Sequence, residues 1–276
     1  MASEELDRLL EHLKRLHLRH TAEKLDEHVQ QAAQLKLGHL AFLARIAEAE
    51  VLARQQTAMD RRLSYAQFPE HCRLEDFDFK EQPSLDRNAI MDLAELRFLD
   101  RCESLIWIGP SGVGKTHLSI SLGVKACSEG YKVRFERAYP LLRRLYASLA
   151  DDTLEEVLSD LVEPKLLIID ELGNSPRRPE DEFAGVFFEL ITRRYRRGST
   201  IVTSNLGFDQ WPTALGSPFQ VTPALDRLID GARIFTFPQD APSHRANRTQ
   251  GAGPLEPAKR VGRKKKALSD RTPNSR

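Results

Sequence analysis

The sequence has few cysteines and no long apolar run, and neither sign of charge dominates it. Its three cysteines, Cys72, Cys102 and Cys127, show neither metal-ligand spacing nor a redox pair, so they fit a reducing cytosol. No apolar run approaches the roughly 20 residues needed to cross a bilayer. The first five residues include two acidic residues and no basic one, unlike a secretion signal. These absences predict a cytoplasmic protein with no membrane partner.

The net charge of +1 conceals an uneven distribution along the 276 residues. Residues 1–70 hold 10 Lys and Arg against 11 Asp and Glu, and residues 71–240 hold 21 against 27. Residues 241–276 hold 10 against 2, with a polybasic run over 259–266. Such a run is typical of a solvated tail, and it is also the one clear electrostatic footprint for nucleic acid. We expect the tail from Pro238 to be disordered because it is rich in Pro, Gly and charge.

The chain is long enough for one full domain with an appended module and a tail. Apolar residues near the N-terminus recur at three- and four-residue steps, as on one face of an amphipathic helix: Leu6, Leu9, Leu10, Leu13 and Leu16. Further helices are predicted from about residue 21 and over 40–63. The candidate inner face of the third helix consists of Leu43, Ile46, Val51 and Leu52. We therefore predict a helical domain over 1–68, a main domain over 69–240 and a tail over 241–276.

The helical domain has two interpretations. It either packs as a bundle that mediates assembly, or it binds nucleic acid. The cations available for the second role are Lys14, Arg15, Arg19, Arg61 and Arg62. Its slightly negative net charge does not favour phosphate contact, which depends on clustered positive charge.

The most informative stretch follows an apolar run over 105–108 and precedes a helical pattern. Its residues, predicted to bind nucleotide, are Gly109, Pro110, Ser111, Gly112, Val113, Gly114, Lys115, Thr116 and His117. A strand, then Gly-x-x-x-x-Gly-Lys-Thr, then a helix is the context in which this pattern binds phosphate through backbone N–H groups. Lys115 is expected to reach the β- and γ-phosphates, and the Thr116 hydroxyl the Mg²⁺ that bridges them. A chance glycine-rich turn is the alternative.

Polar side chains follow two further buried strands. Asp170 and Glu171 come after the apolar run 166–169, at the end of the strand where open α/β sheets place their ligands. Asp170 is expected to hold Mg²⁺, and Glu171 to polarise the water that attacks the γ-phosphate. Asn205 ends the run 200–205, where it either contacts the γ-phosphate or its water, or caps the next turn.

Five candidate strands joined through helices predict an α/β fold, a parallel sheet flanked by helices. The strands are expected at 105–108, 132–135, 165–171, 200–205 and 233–237. The main-domain helices are expected at 87–102, 117–129, 140–150, 153–161, 182–197 and 223–230. A linker over 65–86 is expected to dock on this domain through Phe77 and Phe79, which either pack simply or cover an adenine base.

The order and spacing of these motifs resemble the AAA+ ATPases, which are P-loop NTPases. More narrowly, the chain resembles the IstB-type transposition helper ATPases of bacterial insertion sequences, relatives of the DnaC helicase loaders. The resemblance runs from about residue 10 to 237. It is carried by the stretches 74–78, 85–87, 109–118, 130–135, 167–173, 194–200, 203–206 and 225–228.

The resemblance implies that ATP binding assembles subunits into a homo-oligomer on double-stranded DNA. The assembly then helps a separate transposase to choose and join its target. Arg227 matches the AAA+ arginine that reaches a neighbouring subunit's γ-phosphate, so it would act in trans beside Lys115, Glu171 and Asn205. The family also uses its helical N-terminal module on DNA.

The sequence departs from the family pattern at two places, and three other functions compete. Asn174 stands where the family usually has Tyr, and the motif around Arg245 is altered, which leaves Arg245 without a supported phosphate-sensing role. A replicative helicase loader shares the chemistry. A small-molecule phosphotransferase needs an acceptor pocket and a lid, for which no stretch after Arg233 is suited. A non-hydrolysing DNA scaffold requires the catalytic Glu to be absent, and Glu171 is present.

Overall fold

A five-stranded parallel sheet forms the centre of the chain. The computed structural model describes residues 2–174, 183–216 and 218–243. The strands are β1 (Leu105–Ile108), β2 (Val133–Arg137), β3 (Leu166–Leu172), β4 (Ser199–Ser204) and β5 (Arg233–Thr236). Their order across the sheet is β2-β3-β4-β1-β5, and every pair is parallel. The predicted α/β fold with a five-stranded parallel sheet is confirmed.

Five α-helices precede the first strand and six more follow it in the described residues. The first three are α1 (Ala2–Arg15), α2 (Arg19–Gln34) and α3 (His39–Ala66). The others are α4 (Arg87–Leu93), α5 (Arg97–Asp100), α6 (Lys115–Ser128), α7 (Ala138–Ala147), α8 (Leu154–Val162), α9 (Ala184–Arg194), α10 (Trp211–Leu215) and α11 (Pro218–Ile229). None of these helices is both long and apolar enough to cross a membrane.

The sheet is covered on both faces, as the apolar character of its central strands requires. Alternate residues of β1 enter different clusters: Ile106 and Ile108 pack with α7 to α11, whereas Leu105 and Trp107 pack with α4 to α6. Because all the strands are parallel, the carboxyl ends of β1, β3 and β4 meet at one edge of the sheet.

The prediction of a single helix over 87–102 is wrong, because the chain forms two helices, α4 and α5, with a break between them. Leu96 lies at the break with a φ of 61°. The five residues Ile90, Leu93, Leu96, Phe98 and Leu99 are each at most 3% exposed. At about 100° per residue, an unbroken helix would spread these side chains around its whole circumference. The break lets all of them enter the core.

The last helix begins five residues before its predicted start at Pro223. Proline is favoured in the first turn of a helix and disfavoured in its interior. Here Pro223 lies inside α11. The buried residues Val221, Leu225 and Leu228 recur at helical spacing, so their burial extends the helix upstream despite the proline.

The segment after β5 corrects the prediction of a disordered tail from Pro238. Residues 238–243 pack against the domain. Ala241 contacts the apolar cluster that contains Leu105, Trp107 and residues of α4 to α6, and the Pro242 carbonyl accepts a hydrogen bond from Gln82 Nε2 at 2.8 Å. Residues 244–276, which contain the polybasic run and Arg245, lie outside the described residues.

The long helix α3 joins the N-terminal helices to the sheet domain. Near its C-terminal end, Arg62 Nε donates to the Cys127 carbonyl at the end of α6, at 2.7 Å. The inner face predicted for α3 is wrong, since Leu43, Val51 and Leu52 are each more than half exposed. Instead the buried Glu50 faces α2, where it accepts hydrogen bonds from the Thr21 backbone N–H and hydroxyl.

Candidate nucleotide site

The glycine-rich loop connects β1 to α6 at the open edge of the sheet. Gly112 and Gly114 have φ values of +85° and +96°, which only glycine adopts without strain. A Cβ on Gly114 would lie 2.5 Å from the Phe77 ring, so the linker also packs against the loop there. The helix begins at Lys115 rather than His117, and its N-terminal N–H groups therefore face the loop.

The Lys115 ammonium group lies inside the loop rather than in solvent. Its Nζ donates to the Gly109 carbonyl at 2.7 Å, the Pro110 carbonyl at 2.6 Å and Asn205 Oδ1 at 2.8 Å. The side chain is only 6% exposed. These bonds fix a positive charge at the centre of the phosphate loop. They also hold Asn205, which directly follows β4, beside that charge.

Asp170 lies beside Thr116 in an arrangement that fits Mg²⁺. The Thr116 hydroxyl donates to Asp170 Oδ1 at 2.7 Å, and Asp170 is 3% exposed. No cluster of three or more His, Cys, Asp or Glu that could hold a metal occurs among the described residues. A hydroxyl and a single carboxylate are hard oxygen ligands, and Mg²⁺ in nucleotide sites takes one or two carboxylates plus phosphates and waters. Thr116 and Asp170 are thus the residues that would hold it.

A single hydroxyl connects the two acidic residues. Thr203 Oγ1 donates a hydrogen bond to Asp170 Oδ1 at 2.6 Å and accepts one from the backbone N–H of Glu171 at 2.9 Å. Glu171 has a φ of 62°, and the pairing of β3 with β4 shifts register between Ile169 and Leu172. This bulge interrupts the regular alternation of side chains between the two faces of the sheet. As a result, Glu171 lines the cavity while Asp170 stays buried.

Asn205 belongs to the site and does not cap the following turn with its side chain. Its Nδ2 donates to Asn174 Oδ1 at 3.2 Å while its Oδ1 accepts from Lys115. The following turn is closed instead by Ser204 Oγ, which accepts the Leu206 N–H at 3.0 Å. Asn174, the departure from the family pattern, is therefore a direct neighbour of Asn205.

A cavity of about 600 Å³ lies between the loop and the linker. This volume is within the usual range for small-molecule sites. Its lining includes Glu70, His71, Cys72, Asp76, Phe77, Asp78, Glu81, Gln82, Ser111, Gly112, Val113, Gly114, Lys115, Thr116, His117, Glu171, Thr203 and Asn205. Burial, together with the Glu70 carboxylate, raises the pKa of the Cys72 thiol to about 11, so this thiol stays protonated at neutral pH.

The linker phenylalanines pack as predicted, and Phe77 also lines the cavity. The rings of Phe77 and Phe79 make an edge contact with centroids 4.9 Å apart. Phe77 also lies 5.8 Å from the His117 ring, and His117 Nε2 is 2.9 Å from the Arg73 carbonyl. His117 therefore joins the loop helix to the linker.

Arg227 is the one predicted site residue that the fold does not bring to the loop. It lies on α11, where its Nη1 donates to the Pro223 carbonyl at 3.1 Å and its guanidinium covers the Phe188 ring at 4.9 Å. It lines a separate depression with residues 101–104, which precede β1, and with Gly231, which precedes β5. That is the opposite edge of the parallel sheet from the phosphate loop.

Three site residues were not identified from their own chemistry in the sequence. Thr203, Asn174 and Gln82 make their contacts across strands or loops, with partners 31 or more residues away in sequence. The one sequence signal for Thr203 is that it is a polar residue next to the apolar pair Ile201 and Val202 in a buried strand.

Comparison with known proteins identifies the family. The IstB-like ATP binding proteins match residues 11–250. The chain belongs to this family. It is 39% identical over 251 residues to a Pseudomonas aeruginosa protein named as an ATP-binding protein of insertion sequence IS21, covering 91% of this chain and 92% of that one. It is 35% identical over 244 residues to a Geobacillus stearothermophilus protein named likewise for IS5376, covering 88% and 96%.

Solved structures resemble the fold at lower identity. Aquifex aeolicus DnaA bound to AMPPCP has a TM-score of 0.50 and 21% identity, covering 70% of this chain and 58% of that one. A DNA replication initiation factor has the same TM-score and identity, covering 67% and 54%. The chain is thus an IstB-like ATP-binding protein with a P-loop AAA+ fold.

Proposed function

We propose that this protein hydrolyses ATP with Mg²⁺, assembles as a homo-oligomer on double-stranded DNA, and assists the transposase of its own insertion sequence in target selection and integration. The observation that carries the ATPase proposal is the Thr203 hydroxyl, which bonds both Asp170 and Glu171 beside the phosphate loop. A chain that only bound ATP would not need a second acidic residue held at the cavity wall.

Each residue has a distinct task in hydrolysis. Lys115 supplies a fixed positive charge to the β- and γ-phosphates. Thr116 and Asp170 would hold Mg²⁺, which would supply positive charge to the phosphates. Glu171 accepts the proton of the attacking water, and Asn205 orients that water or the γ-phosphate.

Arg227 acts on the nucleotide of a neighbouring subunit. Its place at the edge of the sheet away from the loop supports action in trans, because it lines none of the cavity that holds Lys115 and Glu171. A cation supplied by a neighbour would stabilise the transition state only in the oligomer, so that assembly controls turnover.

The DNA and transposase partners are supported by the relatives, which are named for insertion sequences, and by the distribution of charge. In the N-terminal helical domain, residues 1–68, Arg19, Arg54 and Arg61 line one surface cavity with His17 and His20, and Glu50, which also lines it, forms an ion pair with Arg54. The ATPase domain, residues 69–240, carries the chemistry, and the basic segment 241–276 adds phosphate contacts. We place the protein in the cytoplasm, where its DNA target lies.

A DnaC-like helicase loader is the alternative within the same chemistry. The insertion-sequence relatives favour the transposition partner. Adding the candidate transposase or a replicative helicase to the DNA-bound assembly separates the two, because only the true partner should alter its turnover.

The proposal is tested by ATP turnover with and without double-stranded DNA, alongside light scattering in a non-hydrolysable analogue. DNA and nucleotide together should produce large assemblies and raise turnover. Lys115→Ala should abolish both effects, whereas Lys125→Ala, on the exposed side of the same helix, should leave them intact. A wild-type protein that stays monomeric and ignores DNA would contradict the proposal.

Action in trans is tested by mixing two inactive variants. Glu171→Gln subunits retain Arg227, and Arg227→Ala subunits retain Glu171, so a mixed oligomer contains some complete sites. We expect the mixture to recover part of the wild-type turnover. A mixture that stays as inactive as its components, although it co-assembles, would contradict action of Arg227 in trans.

A further inference from the structure

Asn174 makes a side-chain contact that connects the two polar segments of the site. Its Oδ1 accepts a hydrogen bond from Asn205 Nδ2 at 3.2 Å, and Asn205 Oδ1 accepts one from Lys115 Nζ at 2.8 Å. An ammonium group only donates, so it must face the amide oxygen, and the Asn205 amide nitrogen then faces Asn174. The hydrogen-bond pattern therefore fixes the orientation of the Asn205 amide from both of its ends.

The main chain holds Asn174 in place for this contact. The Asn174 N–H donates to the Glu171 carbonyl at 3.2 Å, which closes a turn that begins at the proposed general base. Within this turn Gly173 has a φ of 82°, and a Cβ on it would lie 2.6 Å from Cδ1 of Leu206, the residue that follows Asn205. The turn and the segment after β4 thus pack closely together, and this packing brings Asn174 to Asn205.

Asn174 is placed to act on the nucleotide through Asn205. Among the described residues, Asn205 lines the nucleotide cavity and Asn174 does not. Asn174 is exposed, so water competes for its hydrogen bond and the contact adds little to the free energy of unfolding. Its effect is on direction, because an amide held at its oxygen and at one N–H keeps its second N–H pointing one way. A donor that orients a water or a phosphate needs such a fixed direction.

We propose that Asn174 is a positioning residue, which holds the Asn205 amide in the orientation that ATP hydrolysis requires. The inference rests on the proposed ATPase activity. Without the Asn174 acceptor, the Asn205 amide is held at its oxygen alone. Binding of the phosphates depends on the loop and on Lys115, which retains its bonds to the Gly109 and Pro110 carbonyls. Loss of the Asn174 side-chain oxygen should therefore slow turnover and leave nucleotide affinity unchanged.

The test replaces Asn174 by leucine, which has the same branching and no hydrogen-bonding group. Turnover is measured at saturating ATP with double-stranded DNA, and affinity is measured with a non-hydrolysable ATP analogue. We expect kcat to fall by ~3- to 10-fold, the range that one neutral hydrogen bond supports, while the affinity stays at the wild-type value. Asn174→Asp keeps an acceptor oxygen at the same position and should restore turnover. Asn88→Leu makes the same substitution as Asn174→Leu at an exposed site on α4 and should behave as wild type.

A double-mutant cycle separates action through Asn205 from a general effect on the loop. In Asn205→Ala the amide that Asn174 orients is missing, so adding Asn174→Leu should slow hydrolysis no further. Phosphate release in single turnovers at high enzyme concentration detects the slow hydrolysis of these variants. A further loss as large as that in the wild-type background would overturn the assignment, because Asn174 would then act through some other group. Thermal melting and light scattering establish that each variant is folded and assembled.

Wild-type turnover distinguishes failure of this inference from failure of the proposed function. If wild type hydrolyses ATP and Asn174→Leu matches its kcat, the role of Asn174 is overturned and the ATPase proposal stands. The same holds if Asn174→Asp is as slow as Asn174→Leu. If wild type does not hydrolyse ATP in the presence of DNA, both proposals are overturned.

Discussion

Replacing Thr203 by Val tests whether one hydroxyl organises the catalytic carboxylates. The substitution exchanges a hydroxyl for a methyl group at a residue that is 1% exposed, so it removes hydrogen bonds without opening a cavity. Two bonds disappear, one to the Asp170 carboxylate and one from the Glu171 backbone N–H.

The expected loss follows from the types of bond. A hydrogen bond to a charged group contributes about 1.5–3 kcal/mol and a neutral one about 0.5–1.5 kcal/mol, so the pair contributes about 2–4.5 kcal/mol. At about 2–4 °C per kcal/mol for a chain of this size, the melting temperature should fall by roughly 4–18 °C. Because Glu171 is held in a left-handed conformation partly by this bond, turnover should fall at least ~10-fold even where the variant is fully folded.

The assay measures phosphate release at saturating ATP across a range of Mg²⁺ concentrations, well below the melting temperature. Thr203→Val should show a lower kcat and need more Mg²⁺ for half-maximal turnover, since Asp170 has lost one of the two hydroxyls that orient it. Thr203→Ser retains the hydroxyl and should stay within a few-fold of wild type. Thr203→Val turnover equal to that of wild type would refute the argument.

Three further outcomes are expected. Glu171→Gln should bind ATP with wild-type affinity in calorimetry and lose ~10²- to 10⁴-fold in turnover, the range of general-base catalysis, and brisk hydrolysis would show that another base acts. Burial raises the pKa values of Cys72 and Cys127 to about 11, so the native protein should resist iodoacetamide at both thiols near pH 8. Because the folded state holds these protons more tightly than the unfolded state, the free energy of unfolding should fall as the pH rises from 9 through 11, which denaturant titration measures; a rise would contradict the burial. Deleting residues 246–276 should weaken DNA binding most at low salt and make the salt slope shallower, whereas an unchanged slope would leave the basic run without a role in DNA binding.

The parts of the site that lie on contiguous motifs were predictable from the sequence. The phosphate loop needs a fixed glycine spacing between a strand and a helix, so the sequence itself specifies its geometry. Asp170 and Glu171 follow a buried strand, and parallel topology brings that strand's end to the loop. For the same reason, Asn205 at the end of the next strand lies beside Lys115.

The rest depends on packing that no local pattern specifies. The bulge at Glu171 arises from a register shift against β4, which strand periodicity does not encode. The break between α4 and α5 arises because the core accepts side chains from all sides of that segment. Gln82 forms a hydrogen bond with Pro242, which is 160 residues away in sequence. Because the tail was predicted to be disordered, no packing was expected for the segment that supplies this contact.

The topology of the sheet also limits how a complete site can form. The loop follows β1 at one edge of the sheet, whereas Arg227 precedes β5 near the opposite edge. A two-fold dimer pairs identical surfaces, so it cannot bring one subunit's Arg227 edge to another's loop edge unless both edges share one interface. If Arg227 contacts phosphate, the subunits must meet head to tail, and such contacts generate rings or open helical filaments. Turnover that requires Arg227 would therefore appear only in assemblies larger than a two-fold dimer, and for this reason light scattering and turnover should be measured on the same samples.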